Sequence, residues 1–504
     1  MSLLGIDLGT SGCKAAVFSE EGELLASAYT EFDAAHPQPG YAELDPIQVW
    51  EMVKRLIQQV CSKTDARTIR ALSVSSMGEA VVPVRLSRQI LGPSLFNFDR
   101  RGEEFLPELR AAISDERLYQ INGNLLGNQY SLTKLMWVKR HWPAIYDRAD
   151  LFLHWSGFIE FMLGADPALD FSLANRTLLL DLDHECWSEE LFAMAGLDAA
   201  KLPRLVPSGT VVGYIAGAIS RELGLPPGIA IVAGAHDQNA NAVGCGAIEA
   251  GQAVFGMGTF ICITPVYSHR MDPARMIAQG LNTEHHAAPG QYVSFIYNQG
   301  GALLKWYRDT FAAAEKQAAA AAGRDVYAEL LCEMPEGPGN VLVLPHFMQT
   351  GPPDFISDSS GVMAGLKLET TRGEILKGIL EGASFYLKEC VDALPAAGIA
   401  IQNFRAVGGG SKSDAWVQLS ADILGVLFVR PRISEAGTLG AAILAGVGVG
   451  VFRNVAEGVA AMVKFERTFE PNPAQMPLYL RKYEQYKQLW PLLRNYLKAV
   501  SNRN

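Results

Sequence analysis

The first residues able to do chemistry are Asp7, Thr10, Ser11 and Lys14, set close together in LLGIDLGTSGCKAAVF over 3–18. An acid, hydroxyls, glycines and a cation in one turn suit a metal-bound polyphosphate. Backbone amides and hydroxyls can cradle phosphate oxygens while the acid holds the cation. A hairpin with an ordinary solvated acid reads the same way, because Gly/Thr/Ser turns are common in hairpins, and this stretch alone does not separate the two. A second polar group, His236-Asp237-Gln238-Asn239, lies in IAIVAGAHDQNANAVGCGAI over 229–248. It follows an apolar strand, and open α/β sheets place ligands at strand C-termini. Asp237 is also expected to serve as a helix N-cap. His236 alone reads as structural. GQAVFGMGTFICITPV over 251–266 repeats the opening logic, with Gly256-Met257-Gly258-Thr259 as its turn. Gly300-Gly301 ahead of an amphipathic helix predicts an anion site. Gly408-Gly409-Gly410-Ser411, between a strand and a helix, suits a nucleotide loop, though packing alone can demand such glycines.

These groups need elements to hold them. The opening stretch predicts strand, turn and strand, and 24–32 a third antiparallel strand. Asp45-Pro46 predicts an N-cap and first helical position, with Val49, Trp50, Val53, Leu56, Ile57 and Val60 at helical spacing. Strands are expected at 69–75, leading into Ser76-Met77-Gly78-Glu79, and at 81–86. Residues 100–163 read as mostly helical. Further strands are expected at 229–232, 253–255, 260–265, 342–347 and 404–407, with a glycine-bearing loop at 361–366. Helices are expected at 240–248, 303–307, 312–322, 371–394, 414–423, from 435 onward and at 474–499. Arg372, Glu374, Lys377 and Lys388 would form the polar face of the 371–394 helix. Three antiparallel strands, a helix and more strands make a ribonuclease-H-like α/β unit. The recurrence of the hairpin at 251–266 predicts two related domains facing each other across a catalytic cleft.

Composition narrows the class. A chain of 504 residues exceeds one core and predicts two large domains. A formal net charge of -10 without a basic run argues against nucleic-acid binding. The 7 cysteines are scattered with no CxxC spacing, which predicts free thiols in a reducing cytoplasm rather than disulfides or a metal site. The N-terminus enters a strand without a signal peptide. The apolar run 439–452 is shorter than the roughly 18 to 20 residues that span a bilayer, so no membrane role is expected.

DLGTSG, AGAHDQNANAVG, GMGT, VGGGSKSDAW and GTLGAAILAG, in that order from about residue 3 to about residue 460, resemble the FGGY carbohydrate kinases of the sugar-kinase, Hsp70 and actin superfamily. The xylulokinase and glycerol kinase branches look nearest. The resemblance implies two ribonuclease-H-like, actin-like ATPase domains: 1–246 for the sugar and catalysis, 247–504 for the nucleotide. It implies ATP, Mg²⁺, a small sugar or polyol substrate and a homodimer. Asp237 matches the catalytic base, which would take the proton of a sugar hydroxyl as its oxygen attacks the γ-phosphorus. Asp7 matches the acid near Mg²⁺. Thr10, Ser11 and Lys14 match the first phosphate loop, and Gly258 and Thr259 the second. Gly301 and Lys305 match positions near the ATP phosphates, with glutamine in a relative at Lys305. Gly409, Gly410 and Asp414 match the adenosine loop, with asparagine in a relative at Asp414.

The sugar pocket departs from both branches. Met77-Gly78-Glu79 stands where xylulokinases have Met-His and glycerol kinases Arg-Glu, so Glu79 looks shared while the arginine is missing. Gln238 matches glycerol kinase. Asp99 matches a xylulokinase pocket acid, but Asn97 replaces a tryptophan. Met77, Glu79, Asp99, Asp237 and Gln238 together suit a neutral polyhydroxylated substrate. The bland alternative makes Glu79 and Asp99 surface loop acids; the functional reading comes first for Glu79, and for Asp99 the two weigh alike. The expected reaction is phosphorylation of a primary hydroxyl of a xylulose-like pentulose, with a glycerol- or erythritol-like polyol as the alternative. A conformational actin- or Hsp70-like ATPase shares the hairpins without predicting this pocket. A dinucleotide-binding oxidoreductase lacks a GxGxxG opening a βαβ unit.

Overall fold

The computed structural model describes residues 1–432 and 435–501. Its frame is a pair of sheets built the same way. In the first, β1 (Ser2–Leu8), β2 (Gly12–Ser19) and β3 (Leu24–Glu31) form an antiparallel meander. β4 (Ile69–Ser76) then adds parallel to β1, β6 (Ala230–Val232) adds parallel to β4, and β5 (Val211–Tyr214) closes the far edge antiparallel. In the second, β7 (Gln252–Met257) pairs antiparallel with β8 (Phe260–Tyr267), which carries β10 (Tyr292–Val293) and β11 (Ile296–Gln299), with β9 (Glu284–His285) outside β10. β12 (Asn403–Val407) and β13 (Leu427–Pro431) continue in parallel from β7, and β14 (Phe465–Phe469) closes antiparallel. Each sheet is the expected ribonuclease-H-like pattern of hairpin, third strand and parallel crossovers.

The helices follow their caps. α1 (Pro46–Lys63) begins at Asp45, whose carboxylate accepts from Ile47 N–H, and it buries Val49, Trp50, Val53, Leu56, Ile57 and Val60 as the spacing requires. α3 (Gly301–Phe311), α4 (Arg372–Ala393), α5 (Asp414–Leu424) and α7 (Met476–Ser501) pack around the second sheet. Thr371 and Glu374 form a capping box on α4. Several local expectations change. Lys377 is buried within α4 and donates to Pro335 O, because the helix is enclosed nearly all round. Residues 362–364 are not a loop but a strand paired with 342–344, and the strand expected over 81–86 ends at Val84, pairing with one at Leu151–His154 inside the helical stretch. The 7 cysteines are free thiols, and among the described residues no helix is long and apolar enough to cross a membrane.

The two halves meet through backbone. α2 (Asp237–Gly244) crosses α6 (Ala436–Gly448); α6 lies against β1 and β4 and α2 reaches β4, with Leu3, Phe18, Ala71 and Val232 in one shared core. A Cβ on Gly440 would sit 1.8 Å from Ala240 O, one on Gly244 1.8 Å from Ala436 O, and one on Gly5 1.9 Å from Thr438 O. The run of small residues in both motifs is what permits this approach.

Candidate active site

The first hairpin turn lies between β1 and β2, closed by Gly9 N–H on Gly12 O at 3.0 Å. Thr10 and Ser11 stand exposed at its tip. Asp7, at the end of β1, accepts from Ser75 Oγ on β4 at 2.6 Å. Burial raises its pKa, opposed by that hydrogen bond and by Lys14, while Glu435 raises it further. Lys14 is ion-paired with Glu435, at the start of α6, and lies 5.3 Å from the Tyr29 ring centre. A Cβ on Gly437 would come 2.5 Å from Asp7 Oδ2, so glycine keeps that oxygen clear. A carboxylate beside hydroxyls suits a hard cation. Among the described residues no three His, Cys, Asp or Glu side chains converge. Mg²⁺ held at Asp7 would therefore take its other ligands from water and substrate phosphates, which is its ordinary habit.

Asp237 is the first residue of α2 rather than its N-cap. His236 occupies the cap position and makes no side-chain cap bond, and the helix runs over 237–244 instead of 240–248. Ser76 N–H donates to Ala235 O and His236 N–H to Ser172 Oγ, which fixes the loop against β4. His236 Nε2 lies 3.2 Å from Asp237 Oδ1. Burial, reinforced by Arg176, lowers the pKa of that imidazole, so it stands beside the carboxylate uncharged. The Asp237 side chain stays 21% exposed. Burial first, then repulsion from Asp7 and Glu79, pushes its carboxyl up to about 8. Gln238 beside it is half-buried.

Glu79 is no surface acid: it is 2% exposed and has φ 65°. A non-glycine residue in that region is strained, and such strain gathers at functional sites. The arginine missing from its own segment arrives from another. Arg176 donates from Nε to Glu79 Oε1 at 2.7 Å and also from Nη2 to the same oxygen. Its Nη1 donates to Glu284 Oε1 on β9 at 2.6 Å. Met77 is buried at the end of β4, its N–H on Leu8 O. Asp99 is buried too, but Arg101 and the Ala42 N–H take its carboxylate, and Arg101 also binds Glu43. The structure thus locks Asp99 into its own loop instead of presenting it to a ligand.

The second hairpin behaves differently from the first. Gly258 O accepts from Gly301 N–H at 2.9 Å, and Thr259 O accepts from Gly300 and Ala302 N–H. The amides expected to bind an anion at the start of α3 are therefore already satisfied by this turn. Gly301 is required for that seating, since a Cβ there would lie 2.5 Å from Gly258 O. Lys305 is exposed and has no ion-pair partner among the described residues. At the third glycine loop, Gly409 faces open space, whereas Gly410 packs on Trp416. A cavity of 210 Å³ opens there, lined by Val407, Ser411, Lys412, Arg430 and Arg432. Asp414 caps this region from outside through Arg430 and Arg467. Sequence reasoning missed Arg176, Glu284 and Glu435, none of which carries a local signature.

Two actin-like sheets with paired hairpins and one partly buried carboxylate of raised pKa at their joint suit a phosphotransferase acting on an alcohol group. The family model "FGGY family of carbohydrate kinases, N-terminal domain" matches residues 2–244, and its C-terminal counterpart matches 254–449. The chain belongs to the FGGY family of carbohydrate kinases, enzymes that use ATP. It is 27% identical to a xylulose kinase of Staphylococcus epidermidis over 491 residues, covering 97% of this chain and 96% of the relative. It is 30% identical to a glycerol kinase of Albidiferax ferrireducens over 493 residues, covering 93% and 95%. The solved xylulose kinase of Rhodospirillum rubrum superposes with a TM-score of 0.87 at 26% identity, covering 99% of this chain and 100% of that one.

Proposed function

We propose that this kinase phosphorylates a primary hydroxyl of a small neutral ketose, a xylulose-like pentulose first. The supporting observation is the partly exposed Asp237 carboxylate beside Glu79, whose Oε2 accepts no hydrogen bond among the described residues. Asp237, when ionised, takes the proton from the acceptor hydroxyl as that oxygen attacks the γ-phosphorus in line. His236 lies beside the carboxylate, uncharged. Glu79, Met77 and Gln238 receive the sugar, and Asp99 supports the wall. In this reading 1–246 supplies acceptor site and base, and 247–504 the nucleotide site. Thr10, Ser11, Lys14, Gly258, Thr259 and Lys305 face the phosphates. Gly301 seats the second turn. Gly409, Gly410 and Asp414 shape the adenosine site. Mg²⁺ at Asp7 would neutralise phosphate charge. Lys14 must then exchange or share Glu435 with a phosphate oxygen. Closure of the cleft excludes water and limits wasteful hydrolysis.

A polyol acceptor is the second reading, favoured by the presence of an arginine on Glu79, the pair that resembles glycerol kinases. Phosphoryl transfer from ATP to a panel of ketoses, glycerol and tetritols separates them. Xylulose should turn over fastest, and Asp237→Asn should lose about 10²- to 10⁴-fold. Success with glycerol or a tetritol alone moves the assignment to polyols. ATP consumption that no acceptor stimulates, or normal turnover by the Asn variant, overturns the reading.

A further inference from the structure

We propose that Arg176 is a positioning residue for the phosphoryl acceptor, fixing Glu79 from one half of the molecule while anchored to Glu284 of the other. This rests on the acceptor-site reading above.

The geometry is specific. Arg176 follows the short helix Phe171–Asn175 in the first half, and Glu284 lies on β9 of the second sheet. Both guanidinium contacts to Glu79 fall on Oε1, and the contact to Glu284 falls on its Oε1. Oε2 of Glu79 is thereby left for an acceptor hydroxyl. The guanidinium is held between rings from both halves, 4.9 Å from the Tyr130 centroid and 5.8 Å from that of Phe295. Asn282 Nδ2 donates to Glu284 Oε1 at 2.8 Å, so the anchor is itself fixed. A Cβ on Gly78 would press on Arg176 Cγ at 2.9 Å, so the backbone beside Glu79 is shaped around this side chain. A planar fork binding two carboxylates is a task lysine cannot reproduce. The bridge therefore ties the orientation of Glu79 to the separation of the halves. Arg176 touches no reacting atom in this arrangement and acts through Glu79.

Steady-state kinetics on the full chain tests this, with acceptor and ATP varied separately and folding checked by thermal melting. Glu79→Gln and Arg176→Met should each raise the acceptor KM about tenfold, the loss of a charge-assisted hydrogen bond, while the ATP KM stays within about twofold. The double variant should be no worse than the poorer single one, because both act through one contact. Arg176→Lys, which keeps the charge without the fork, should fall between native and Arg176→Met, and it carries the test if the Met variant fails to fold. An acceptor KM unchanged in Glu79→Gln overturns the acceptor-site reading and this inference with it. A raised KM in Glu79→Gln beside native values in Arg176→Lys and Arg176→Met overturns only the role of Arg176. Equal loss of acceptor and ATP affinity in the arginine variants, or fully additive effects, also overturns it and leaves a general structural tie.

Discussion

The proposed role of Asp237 comes at the expense of the fold. Its carboxyl titrates near about 3.9 in an unfolded chain, and burial with repulsion from Asp7 and Glu79 pushes it up to about 8 here. Between those values the folded protein binds a proton that the unfolded chain has released, so stability falls as pH rises through the window. Asp237→Asn removes that titration. Its melting temperature should exceed the native one at about pH 9, and the difference should shrink toward about pH 4. A variant that melts lower than native at about pH 9 contradicts the assignment. At this scale the sequence was legible where chemistry is local. Asp7, Thr10, Ser11 and Lys14 share a turn, and Asp237 ends a strand. It was illegible where partners are distant: Arg176 meets Glu79 across 97 positions and Glu284 across 108. Asp99 misled because its acid type matched a pocket, while the Arg101 that consumes it lies two residues away.

Elements were read well where periodicity or caps dictate them, as for α1 and both hairpins. Boundaries failed where tertiary contacts decide. α2 starts at Asp237 because the loop is pinned on β4 and Ser172, and α3 has its first amides filled by a neighbouring turn, neither of which periodicity reports. The crossing of α2 and α6 gives a sharp test. In an exposed helix, glycine to alanine gains about 1 kcal/mol. At Gly440 the added carbon would lie 1.8 Å from Ala240 O, and overpacking of this kind costs about 1 to 3 kcal/mol or more. Gly440→Ala should therefore lower the urea midpoint. A midpoint equal to or above native shows that the helices can part freely.

The whole molecule is two sheets of one pattern that share a core at their joint. α6 comes from the second half, yet it packs on β1 and β4 of the first. Loss of either half strips apolar cover from the other. Calorimetric unfolding should accordingly show one transition rather than two, and resolved transitions would mean that the halves fold as independent domains. The duplication itself was legible because the hairpin recurs. The exchange of α6 was not, since a small-residue helix looks the same whichever sheet it covers. That seam also sets which positions are open to change. Where helices touch through bare backbone, even one methyl group has no room, so Gly5, Gly244 and Gly440 admit no substitution without moving the elements that carry Asp237. The proposed acceptor wall around Met77 and Gln238 is made of side chains, and side chains can be exchanged one at a time. A library meant to alter acceptor preference should find its survivors at the wall and almost none at the seam.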